Sequence, residues 1–278
     1  MKRITFLLPL LLLAITQITS AQTMIPISPR KVNVSDQLDN EVYKVTYDLS
    51  FVSDPSDPKF ITEDVITLQI GKQMQKEYSE SYYQADVAAQ EALESGRFPK
   101  LMVNPLTVYV LYKNWPNNGD VTVDYRLPMK APVMTFKDKM PTTNWTMTNE
   151  VKEIIGYRCQ KATTELGGRM WTVWFTQEIP VNAGPYLLEG LPGLILEAKD
   201  DEGHYHYTCT SFTKSESNSE IGRWEWDQQE ITKDKMKVLL KELYANPEQT
   251  AKALGASVHF GGDAMLNLPY NPIDITWK

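Results

Sequence analysis

Three groups of residues carry side chains whose type and spacing could do chemistry. His204-Tyr205-His206 sets two imidazoles at i and i+2, on one face of a strand, with Glu197 nominally opposite His206 across a hairpin. Such a set binds zinc or copper if all three groups converge; the plainer reading is a solvated hairpin edge beside the acidic turn Asp200-Asp201-Glu202. His259 is the remaining imidazole of the three in the chain, so a richer metal site would have to recruit it from afar. Trp171, Trp174, Phe175 and Tyr186 lie close in sequence to Arg169, a combination that lines an aromatic pocket with one cationic handle or packs as ordinary core. Cys159 and Cys209 are the two thiols, candidates for one disulfide or for use as small buried apolar residues. Cys209 falls on the face that strand alternation makes apolar, where a thiol is inert. The G-x-S-x-G elbow, the H-E-x-x-H helix, the C-x-x-C pair and the P-loop are all missing. The sequence therefore implies no cofactor and favours a non-enzyme.

The compartment and the elements frame these groups. Lys2-Arg3, the apolar run Ile4 to Ile15 and the small-residue end Thr19-Ser20-Ala21 have the three-part form of a secretory signal peptide, predicting cleavage near Ala21 and a periplasmic or secreted product. Gln22 and Thr23 stand where a lipoprotein would carry its cysteine. The apolar run is well short of the roughly 20 residues that span a bilayer, so a membrane-spanning chain is not expected. A formal charge of −7 is the wrong sign for gripping a phosphate backbone, which argues against nucleic acid as a partner.

Period-two alternation predicts strands at residues 41–51 and 64–70, at 106–112 with 119–127, at 154–164 with 169–176, and at 194–199 with 204–212. Gly167-Gly168 closes one hairpin and sets Ala162 opposite Val173. Helical spacing predicts one helix over 81–96, an amphipathic one over 232–244 with Thr232 as N-cap, and a short one from Pro247 to Gly255. These elements predict an α+β fold over residues 22–278 as a single domain: a curved antiparallel sheet or half-barrel with a few helices packed on the concave side, similar to periplasmic lipoprotein carriers.

The stretch from Ile155-Gly156-Tyr157 through Gly184-Pro185-Tyr186 to Gly190-Leu191-Pro192-Gly193-Leu194-Ile195 resembles the GLPGLI family of exported, functionally uncharacterised bacterial proteins. Ile70-Gly71, Tyr112-Lys113-Asn114 and Tyr270-Asn271-Pro272-Ile273-Asp274 extend the resemblance. It implies export but transfers no catalytic residue. Physically, Pro192 between two glycines suits a tight structural reversal feeding a buried strand better than it suits a phosphate cradle. The resulting expectation is a non-catalytic envelope protein that holds a lipid, another apolar small molecule or a protein partner on its concave face. A metal-binding protein built on His204, His206 and Glu197 is the first alternative, and an unfamiliar hydrolase the second.

Overall fold

The computed structural model describes residues 27–99, 107–127, 131–216, 219–255 and 269–277. The leader and His259 lie outside them.

The strands are β1 (Val34–Val52), β2 (Ile61–Gly71), β3 (Gln75–Ser79), β4 (Tyr109–Lys113), β5 (Asp120–Tyr125), β6 (Val133–Lys139), β7 (Thr146–Ile154), β8 (Tyr157–Leu166), β9 (Arg169–Thr176), β10 (Leu194–Asp200), β11 (Tyr205–Lys214), β12 (Glu220–Trp224) and β13 (Gln228–Glu230). The helices are α1 (Glu80–Glu94), α2 (Lys233–Ala245) and α3 (Pro247–Ala253), and a 3-10 turn, Ile275–Trp277, follows near the C-terminus. The strands form one open, curved, mixed sheet in the order β13-β6-β5-β4-β3-β2-β1-β11-β10-β9-β8-β7, with β12 pairing off the path onto β1. Only β13, on β6, runs parallel to its neighbour. This is the α+β architecture that the alternation predicts.

β1 holds the centre because its 19 residues serve two partnerships. Its first part, from Val34 to Asn40, pairs with β12, while Tyr43 to Phe51 are clasped between β2 and β11. Val45, Tyr47 and Leu49 are buried, as the period of two requires. The hairpin of β8 and β9 pairs Ala162 with Val173, and β10 pairs with β11 through Ala198 and Tyr207.

Two faces of the sheet make two cores. Alternation along β4 sends Leu111 to a large cluster with Ile66, Leu68, Val123 and Phe136, and sends Val110 and Tyr112 to a second cluster with Tyr78, Trp224 and Trp226. α2, capped by the Thr232 hydroxyl accepting from the Lys235 amide, lays Met236, Leu240 and Leu243 into the first cluster. α1, capped likewise by Ser79, fixes Asp86 against Arg126 in a bidentate pair with N–O distances of 2.6 and 3.0 Å. Among the described residues, no helix is long and apolar enough to cross a membrane.

Candidate functional site

The first core is not filled. Between β4, β5, β6, the start of β11, α2 and the C-terminal segment 269–277 lies a cavity of about 250 Å³, walled mainly by aromatic rings. Tyr109 and Tyr125 sit opposite each other across the β4–β5 ladder, with ring centroids 6.3 Å apart. Phe136 leads to Trp277 at 5.6 Å, Phe51 stacks on Tyr205 at 5.7 Å, and Tyr244 of α2 meets Tyr270 at 4.5 Å. These rings project into the cavity for ordinary reasons of period: Tyr109 and Leu111 share one face of β4, and Tyr244 continues the Leu240 side of α2 one turn on.

Polar groups are few and placed. Burial pushes the Tyr109, Tyr125, Tyr186, Tyr205 and Tyr270 phenols above their ordinary range, so they stay neutral and can both donate and accept. The Tyr205 hydroxyl donates to the Asn271 carbonyl at 2.6 Å, whereas the buried Tyr270 hydroxyl has no partner among the described residues. The carboxylates at the cavity are engaged: Asp138 accepts from Lys233 at 2.5 Å, and Asp274 accepts from the Thr276 amide at 3.0 Å and from Trp277 Nε1 at 3.0 Å.

The residues singled out in the sequence take other places. Arg169 is 1% exposed and wholly occupied. Its Nε and Nη2 donate to the Ile273 and Pro272 carbonyls and to Asn271 Oδ1, all at 2.9 Å, and its Nη1 donates to Asp200 at 2.5 Å and Glu202 at 3.1 Å. Instead of offering a cationic handle, it pins the segment that walls the cavity. Trp171 and Trp174 do not converge, because positions three apart on a strand face opposite ways. Trp171 is fully buried and donates to the Leu166 carbonyl at 3.2 Å, while Trp174 is half-buried with Lys152 Nζ 4.5 Å from its ring centroid. Of that set only Tyr186 lines the cavity.

The histidine set also separates. His206 Nε2 lies 3.1 Å from Glu197 on the same face of the hairpin, but the ladder sets Lys199 opposite His206 and Thr208 opposite Glu197, a register two residues from the expected one. His204, however, precedes the strand and turns to Glu202 at 3.0 Å. Asp200, Glu202 and His204 do come within reach of one cation, but the Arg169 guanidinium already contacts all three. A protein cation thus holds the place a metal would take. Hydrogen bonding from His206 and then from Lys152 holds the Glu197 carboxyl down at about 2.

Cys159 and Cys209 are free and buried on β8 and β11, with β9 and β10 between them; burial pushes their thiols up to about 11 and about 12. Of the two alternatives, a disulfide or a pair of buried thiols, the structure has the second, and both act as small core residues. Gly190 to Ile195 is a structural reversal. Gly190 has φ +100°, its neighbour Glu189 accepts through its carbonyl from Thr143 Oγ1 and Trp145 Nε1, and a Cβ on Gly193 would lie 2.0 Å from the Thr176 carbonyl oxygen.

A family profile, that of the N-terminal domain of an N-glycanase of the PNGase F-II type, matches residues 128–259, somewhat under half of the chain. Among solved structures, one of PNGF-II superposes with a TM-score of 0.50 at 19% identity, covering 73% of this chain and 34% of that one. A second crystal form gives 0.48 at 18%, covering 73% and 33%. The chain thus spans about a third of the protein it superposes on, and the likeness shows a shared fold. No curated protein matches it in sequence. These findings overturn the GLPGLI resemblance: the hexapeptide is a turn that does local structural work, and the family profile points elsewhere. The match to an N-glycanase domain also overturns the expectation of a non-catalytic envelope protein without a defined role.

Proposed function

We propose that this protein handles protein-linked glycans and that the aromatic cavity is its sugar-binding site. One observation carries the reading: a cavity walled by Tyr109, Tyr125, Phe136, Tyr244, Tyr270 and Trp277, whose lining has neutral phenols and a Tyr270 hydroxyl that has no partner among the described residues. A pyranose has an apolar face of C–H groups and a rim of hydroxyls. Ring faces bury the first and phenols, being donor and acceptor at once, serve the second. The match to an N-glycanase domain supports the same direction and supplies the attached protein as part of the ligand. The carboxylates at the cavity are tied to Lys233, Thr276 and Trp277, an arrangement suited to holding walls in place. Export belongs to this proposal, on the strength of the leader Lys2 to Ala21, because glycoproteins are met outside the cytoplasm.

Isothermal titration with an N-glycopeptide, and with the same peptide stripped of its glycan, tests the proposal. Binding of the glycosylated form only, weakened on the order of tenfold by Tyr125→Ala or Tyr244→Ala, is the expected result. Equal binding of both peptides, or of neither, would overturn it.

A further inference from the structure

The connection from Thr176 to Leu194 reaches the cavity through Tyr186 and its neighbour Leu187. Tyr186 has φ +53°, a left-handed conformation that a bulky side chain adopts only under constraint, and its ring lines the cavity 6.5 Å from that of Tyr109. The constraint is visible. The Tyr186 amide donates to Glu77 Oε2 at 2.6 Å, and Lys113 Nζ donates to the Tyr186 carbonyl at 2.9 Å and to the Gly184 carbonyl at 2.7 Å. Gln75 Nε2 donates to the Asn182 carbonyl at 3.1 Å, and Asn182 Oδ1 in turn accepts from the Gly190 amide at 2.5 Å.

Three side chains from the adjacent strands β3 and β4 thus grip the backbone of one connection. All three are buried, Gln75 at 6%, Glu77 at 1% and Lys113 at 0% exposure. Placing an acid and a base in a core costs stability unless their geometry is needed, and an apolar pair would hold two strands together as well. An apolar pair could not hold a backbone in the left-handed region, because that takes directed hydrogen bonds to the amide and the carbonyl of one residue.

We propose that Glu77 and Lys113 are positioning residues for the cavity: they set the Tyr186 ring in its wall, and the ligand packs on that ring. This rests on the reading of the cavity as a glycan site, and it deepens that reading by assigning a determinant of affinity and of its dependence on pH. Glu77 Oε1 is buried with no partner among the described residues, so Oε2 alone carries the carboxyl's hold on the Tyr186 amide. Around the carboxyl stand Lys113 and Tyr109 from β4, Tyr47 from β1, Tyr207 from β11 and Tyr186 itself, while Glu189 acts on Lys113. Burial pushes the Glu77 carboxyl up to about 7, against the pull of Lys113 and the Tyr186 amide. Above that pH the ionised carboxylate is the stronger acceptor, so Tyr186 is held and the ligand binds; below it the acid protonates and the grip slackens.

The test has two arms on the full chain. Without ligand, the Tyr186 amide resonance is followed by NMR from about pH 5.5 to about pH 8.5. It should titrate near neutrality in the wild type and lie flat in E77Q, whose amide oxygen still accepts but does not ionise. A flat wild-type profile, or the same titration in E77Q, would overturn the clamp. If E77Q does not fold, the wild-type profile decides alone. In the second arm, affinity for the N-glycopeptide should be about fivefold weaker at the acid end than at the alkaline end, with that dependence abolished in E77Q. An affinity that is unchanged over the range while the amide titrates removes Tyr186 from the ligand's contacts. A titrating amide with no glycopeptide bound at any pH counts against the glycan reading and leaves the clamp standing.

Discussion

The two faces of the sheet are both aromatic and opposite in kind. On one face Tyr109, Tyr125, Phe136, Tyr244 and Trp277 surround a cavity. On the other, Tyr78, Tyr112, Trp115 and Trp224 are filled by cations: Lys76 Nζ lies 3.6 Å from the Trp224 ring centroid, and Arg223 lies over Tyr112 and Trp115. Each cation is also satisfied, Lys76 by the Gly222 carbonyl at 2.7 Å and Arg223 by Asp124. What separates a wall from a core is therefore what the rings face, and the abundance of rings carries no information about it. The second cluster packs its rings against cations, whereas the first surrounds a cavity; an orphaned phenol does not distinguish them, since among the described residues the Tyr112 hydroxyl lacks a partner just as the Tyr270 hydroxyl does.

The largest effect should come from breaking a buried ion pair at the edge of the cavity. Arg126→Met leaves the buried Asp86 carboxyl without its bidentate partner, which should cost about 3–5 kcal/mol in urea unfolding. Next is a matched pair of ring deletions. Trp224→Ala empties a packed site and should cost about 3–5 kcal/mol, while Tyr244→Ala removes a ring that already faces open space and should cost no more than about 2 kcal/mol. Glycopeptide affinity should show the reverse order, weakened on the order of tenfold in Tyr244→Ala and kept in Trp224→Ala at temperatures where that variant is folded. Equal losses of stability would erase the distinction between the faces.

Lys76 offers a subtler probe of the filled face. Burial lowers it from 10.5 to about 7, with Asp124 pulling the other way. The folded protein therefore binds fewer protons than the unfolded chain between about pH 7 and about pH 10.5, so stability rises with pH in that window, by at most about 1.4 kcal/mol per unit. Lys76→Met should remove that slope and, below neutral pH, leave a protein at least as stable as the wild type. A wild-type slope that persists in the variant would assign it to another group.

Legibility in the sequence followed the same physics. β1, β2, the hairpin of β8 with β9, and α2 were readable because apolar residues recur there at the period of the element. β3 was not, and for a specific reason: Gln75, Lys76, Glu77, Tyr78 and Ser79 are all buried, yet four of the five are polar and read as surface. The residues that grip Tyr186 were hidden by the same disguise, since a charged strand residue is by default a solvated one. The cavity itself was half visible. Tyr186 was noticed for its neighbours, Trp171 and Trp174, which turn out to face elsewhere, while Tyr109 and Tyr125 had the right alternation but no nearby partner in sequence to single them out. Arg169 was picked for the wrong task, because nothing local foretells that residues 271–273, about a hundred positions on, return to occupy it.

The smallest effect expected is also the sharpest control. His206 and Lys152 converge on Glu197 at the solvent-exposed side of β10 and β11, away from both ring clusters, and His206 keeps 35% of its side chain exposed. Exposure lets water screen each pair and compete for each hydrogen bond, so His206→Ala should cost no more than about 0.5 kcal/mol at neutral pH. The depressed Glu197 favours the folded state above its ordinary pKa of 4.5, and this contribution fades as pH falls toward about 2, so the variant and the wild type should converge in strong acid. Glycopeptide affinity should not change at all. If it did, the ligand would reach the outer surface of the sheet, and the contrast between an open face and a filled one would no longer account for where binding occurs.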